Sequence, residues 1–90
     1  DPVEVDNVLI RTQKEMVLNI IHAIEPASTI HDFRMVTGEH QTNMVFDLVV
    51  PFSYTTEDEK ELLAKIREEI RAVNCSYHCI ITIENSYVGD

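Results

Sequence analysis

The sequence predicts an α+β domain in the order helix, strand, strand, helix, strand, with two helices on one face of a three-stranded sheet. Three observations predict it. Apolar residues recur at helical spacing from Leu9 to Ile24 and from Leu62 to Val73. Side chains alternate at period two from Thr42 to Val50 and from Tyr77 to Glu84. The length, 90 residues, suffices for one domain around a single modest core.

The first helix is expected to begin at Pro2 or shortly after. Asp1 can cap it, proline suits the first helical position, and Glu4 can close a capping box. Leu9, Met16, Ile20 and Ile24 then share one face, a core stripe, and Pro26 stops the helix. The first strand is expected over Ile30 to Val36 and the second over Thr42 to Val50, joined as a hairpin. Thr56-Glu57-Asp58-Glu59 reads as a second capping box with acids in the first turn, where the helix dipole favours them. Leu62, Leu63, Ile66, Ile70 and Val73 follow at helical spacing, and the charged face from Glu57 to Arg71 reads as solvated surface. The last strand is expected over Tyr77 to Glu84.

Strand alternation divides the sheet into two faces. Met44, Phe46, Leu48 and Val50 share the apolar face with Cys79, Ile81 and Ile83, whereas Asn43, Val45, Asp47 and Val49 share the other with His78, Ile80, Thr82 and Glu84. Helices can cover one face only. A second face that is half apolar and half acidic suits a partner-binding or self-associating surface, so dimerisation is expected there.

The segment Ile30 to Pro51 gathers His31, Asp32, Glu39, His40 and Asp47 in one hairpin, an unusual concentration of metal-ligand types. Register decides what they can do. A five-residue loop with Val36 facing Thr42 sets His31 opposite Asp47, with Cβ atoms roughly 5 Å apart. A six-residue loop instead puts His31 on the apolar face with Phe33 and Met35, and brings Asp32 to Asp47. Hydrophobic patterning slightly favours the second pairing, and a β-bulge near Gly38 or Asp32 would reconcile the two.

Composition excludes several classes of function. Sixteen acidic against seven basic side chains give a formal charge of −9, which repels nucleic acid and anionic membrane surfaces and attracts cations. No apolar run approaches a membrane span. The opening Asp1-Pro2-Val3-Glu4 lacks an initiator methionine, and a piece excised from a larger protein is expected. The two cysteines, Cys75 and Cys79, make no disulfide framework. A soft-metal cluster of Cys75, His78 and Cys79 is disfavoured because a strand sends residues 78 and 79 to opposite faces. His22, on the first helix, reads as a packing or surface residue rather than a ligand.

The element order, with HDFR opening the hairpin, FDLVVP closing it and YHCIITIENSY at the end, resembles the cytoplasmic C-terminal domain of cation diffusion facilitator transporters. The resemblance covers nearly the whole chain, including Asp1-Pro2. It implies a ferredoxin-like, metallochaperone-like cytoplasmic regulatory domain over residues 1–90. Such a domain dimerises in the cytosol beneath the transmembrane part of a divalent-cation exporter, and metal bound to it draws the protomers together. Carried over by position, the ligand heading the HD motif falls on His31 and the second on Asp47, where some members have histidine. The pair near the end of the last strand, often histidine and then aspartate, falls on Thr82 and Glu84. A histidine that some members carry on the second helix has no counterpart near Leu62 and Leu63. The resemblance thus implies one metal site of His31, Asp47 and Glu84, completed by water or by His40.

One imidazole with two carboxylates suits Zn²⁺ and accepts Mn²⁺ or Fe²⁺. A metal-independent ferredoxin-like dimerisation module is the alternative reading. An enzyme using His31 as a general base is the weakest one, since no nucleophile elbow or phosphate-cradling loop occurs and Gly38 and Gly89 are the two glycines. A stand-alone metallochaperone would rely on a cysteine pair that is lacking here.

Overall fold

The computed structural model describes residues 7–86, and the expected first capping box of Asp1, Pro2 and Glu4 lies outside them. Helix α1 (Asn7–Ile24) is followed by β1 (Thr29–Thr37), β2 (Thr42–Pro51), α2 (Thr56–Val73) and β3 (Tyr77–Ser86). The sheet order is β1-β2-β3, antiparallel between β1 and β2 and parallel between β2 and β3. A two-residue turn cannot join parallel strands, and α2 supplies the crossover.

Strand β2 is central, and its alternation builds the core. Met44, Phe46, Leu48 and Val50 are fully buried, against Val17 and Ile21 of α1 and Leu62, Ile66 and Ile70 of α2. Spacings of three and four residues put each helical set on one face. The expected stripe of α1 is displaced by one residue, with Val17 and Ile21 fully buried and Met16, Ile20 and Ile24 only partly so. The outermost expected residues are exposed, Leu9 by 43% and Val73 by 57%. Each lies on an outer turn of its helix, beyond the buried residues of the same element.

Both ends of α2 are set by side chains. The N-cap is Thr55 rather than Thr56, its hydroxyl accepting from Asp58 N–H at 3.1 Å while the Asp58 carboxylate accepts from Thr55 N–H at 3.0 Å. At the other end the Asn74 side chain accepts from Ser76 N–H at 2.9 Å, and the Asn74 main-chain carbonyl accepts from Tyr77 N–H at 3.0 Å, turning the chain into β3. A second clasp joins the two connections at the opposite end of the sheet. Tyr54 hydroxyl donates to Glu25 Oε1 at 2.6 Å, and Ala27 N–H donates to Glu25 Oε2 at 3.0 Å. The Tyr54 hydrogen bond, then that of Ala27, holds the Glu25 carboxyl below its usual range. Burial, reinforced by the Glu25 carboxylate, pushes the Tyr54 phenol up to about 12.

Candidate functional site

Two registers coexist in the β1–β2 hairpin. Near the turn, Thr37 faces Thr42, Val36 faces Asn43, Met35 faces Met44 and Arg34 faces Val45; farther on, His31 faces Asp47, Ile30 faces Leu48 and Thr29 faces Val49. The ladder shifts between His31 and Arg34, so Asp32 and Phe33 together oppose Phe46. Asp32 adopts φ 55°, the only positive value at a non-glycine residue among those described. Aspartate is one of the few L-residues that occupy this left-handed region with any ease. The turn half follows the register that hydrophobic patterning favours, the far half follows the one that pairs His31 with Asp47, and the bulge at Asp32 joins them.

The consequence is a reversal of facing. Phe33 packs on the core side, its ring 6.0 Å from that of Phe46. Strict alternation would send His31 to the same side. With the extra residue at Asp32, His31 instead shares the helix-free face with Asp47, while Ile30 is buried in the core. His31 is exposed and Asp47 half-buried.

The parallel ladder to β3 fixes the remaining positions. Thr82 faces Asp47 and Glu84 faces Val49, so His31, Asp47 and Thr82 form one row and Thr29, Val49 and Glu84 the next. From standard strand spacings the Glu84 Cα lies roughly 8 Å from that of Asp47 and roughly 12 Å from that of His31. His40 sits in the turn with its Nε2 3.6 Å from Glu39 Oε1, both side chains exposed. It is roughly 20 Å along the hairpin from His31. Thus the structure brings together His31 and Asp47, sets Glu84 one row away, and leaves His40 at the far end. Among the described residues no three His, Cys, Asp or Glu side chains converge closely enough to hold one ion.

Tested against the donor set, a Zn²⁺ ion fits half a site. Structural zinc takes four ligands, and His31 with Asp47 offers an imidazole and a carboxylate from one protomer. Around them the same face carries Val36, Val45, Val49 and Ile80; Val36 is 56% and Ile80 51% exposed, so the pair sits on an uncovered surface with an apolar component. Of the two positions at which the sequence allows a reconciling bulge, Gly38 and Asp32, the structure uses Asp32.

Residues 10–86 match the family model described as cation efflux protein, cytoplasmic domain. A structure of CzrB, a proposed zinc transporter, superposes with a TM-score of 0.79 at 14% identity, covering 92% of this chain and 99% of that one. Its zinc form gives 0.74 at 16% identity over 96% and 99% of the two chains. The metal-bound C-terminal domain of the CzcD transporter from Thermotoga maritima gives 0.66 at 17% identity over 96% and 98%. At these identities the likeness is one of fold. No curated protein matches the chain.

Proposed function

Since the chain belongs to the cation efflux protein cytoplasmic-domain family, we propose that it is the cytosolic metal-sensing and dimerisation domain of a Zn²⁺-type divalent cation exporter. The observation that carries this reading is the pairing of His31 with Asp47 on the helix-free, half-apolar face of the sheet. Two donors from one protomer leave an ion short of ligands. Water, Glu84 of the adjacent row, or a second copy related by a two-fold axis supplies the rest. His40 is too far along the hairpin to complete the set within one protomer.

Each protomer carries a formal charge of −9, so two copies repel when their acidic faces approach within about a Debye length, roughly 8 Å at physiological salt. A divalent ion at the interface offsets that repulsion. It can favour the closed dimer only by binding it better than the open one, and closure would transmit metal occupancy to the transmembrane part. The remaining ligands, and the attachment to a membrane part, belong to this proposal. No helix among the described residues is long and apolar enough to cross a membrane.

Calorimetric zinc titration of wild type, His31→Ala, Asp47→Ala and Glu84→Ala, with X-ray scattering on each, tests the proposal. We expect saturable binding that falls at least tenfold in His31→Ala and Asp47→Ala, with a more compact dimer when zinc is bound. Binding indifferent to His31 would defeat the site, and a dimer unchanged by zinc would defeat the switch. The absence of a three-donor cluster among the described residues of one protomer favours a second reading, a metal-independent dimerisation module. It predicts a dimer that forms equally in chelator.

A further inference from the structure

The chain carries seven basic side chains against sixteen acids, yet two of its arginines stand together without acid partners among the described residues. Arg67 and Arg71, four residues apart on α2, share one helix face. With Tyr77, His78 and Cys79 they line a cavity of about 240 Å³ where β3 begins, and no carboxylate of the described residues lines it. The one ion pair among the described residues joins Glu39 and His40, at the hairpin turn.

Each arginine has a structural duty that leaves donors spare. Arg67 Nη1 donates to the Cys79 carbonyl oxygen, which holds its guanidinium against β3. Arg71 lies in the last turn of α2, where a cation complements the helix dipole. A guanidinium carries five N–H donors, so most of the two forks remains available, and like charges one turn apart repel until something neutralises them.

We propose that Arg67 and Arg71 bind a phosphate-type oxyanion. Paired guanidinium forks match tetrahedral oxyanions bidentately. The cavity exceeds the size of a single phosphate group, leaving space for the ester or headgroup attached to it. The net negative charge of the domain opposes the approach of anions at long range, so the site works through contact bonds and weakens with salt. Free phosphate and a lipid phosphate present the same chemistry, and the experiment separates them.

Inorganic phosphate is titrated into isotope-labelled protein at low ionic strength while backbone and arginine side-chain resonances are followed, with sodium chloride at matched ionic strength as control. Saturable shifts confined to Arg67, Arg71, His78 and Cys79 are expected, with the Kd raised about tenfold in Arg71→Gln and also raised in Arg67→Lys, which keeps the charge and loses the fork. Co-sedimentation with mixed phosphatidylglycerol and phosphatidylcholine vesicles, dependent on Arg71 and displaced by inorganic phosphate, would assign the site to a lipid phosphate. Saturable phosphate binding without such co-sedimentation would assign it to a soluble one. Shifts that fail to saturate, that match those of chloride, or that saturate with an unchanged Kd in a folded Arg71→Gln protein overturn the site. An unchanged thermal midpoint in Arg71→Gln separates loss of binding from loss of fold.

Discussion

Deleting Asp32 tests the account of the hairpin most directly. With that residue removed, Arg34–Val45, Phe33–Phe46, His31–Asp47 and Ile30–Leu48 become consecutive pairs of a regular antiparallel ladder. No side chain then needs to change face. The left-handed conformation of an L-residue costs about 1–2 kcal/mol, toward the low end for aspartate. Ordering one more backbone residue costs roughly 1–2 kcal/mol. Asp32 itself is exposed and adds nothing to the core. The deletion should therefore stabilise the domain by about 1–2 kcal/mol, raising the thermal midpoint by roughly 5–10 °C for a domain of this size. Deleting Phe33 instead leaves Asp32 opposite Phe46, burying a carboxylate and losing the aromatic contact, at a cost of at least about 3 kcal/mol. Urea unfolding followed by circular dichroism measures both. If the Asp32 deletion costs 2 kcal/mol or more, or if the two deletions cost the same, the two-register description is wrong.

The cap and the clasp give further expectations. Thr55→Ala should destabilise by about 1 kcal/mol and Thr56→Ala by less than about 0.5 kcal/mol, read from urea midpoints; the reverse order would move the start of α2. The Glu25 carboxyl is held below its usual 4.5, so its stabilising contribution is present above that value and is lost as the pH falls through the lowered folded value. Tyr54 is pushed up from 10.0 to about 12, so its contribution is present below pH 10.0 and is lost as the pH rises through about 12. The stability gap between wild type and Tyr54→Phe should then narrow as the pH falls below 4.5, and a gap that stays constant on acidification until the domain unfolds would show that the clasp contributes nothing through ionisation.

Element order and the core were legible in the sequence because period and composition agree. Met44, Phe46, Leu48 and Val50 alternate without exception, and all four are buried. The start of α2 is displaced by one residue because Thr55 and Thr56 are each followed three positions later by a carboxylate, Asp58 and Glu59. Either pair satisfies the pattern. The hairpin register was legible as two competing pairings that a bulge near Gly38 or Asp32 would join, but not which position carries it, since a bulge leaves alternation intact on both sides and marks itself by a single backbone angle at Asp32. The placement of Glu84 one row beyond Asp47 depends on where the chain leaves α2. That is set by the hydrogen bonds of Asn74 to Ser76 and Tyr77, which a list of ligand types does not contain.

The mixed sheet also has a kinetic side. His31 and Asp47 meet through a hairpin, whose pairs can close within roughly 1–10 μs. Thr82 and Glu84 reach β2 only across the whole of α2, with partners 35 residues apart in the chain, and such non-local pairing is intrinsically slower. During synthesis the imidazole–carboxylate pair can therefore exist before β3 has left the ribosome. In the finished protein, fraying of the β3 edge would remove the Glu84 row while the hairpin stays zipped, and hydrogen exchange would register this as two classes of protected amides on the two flanks of one strand.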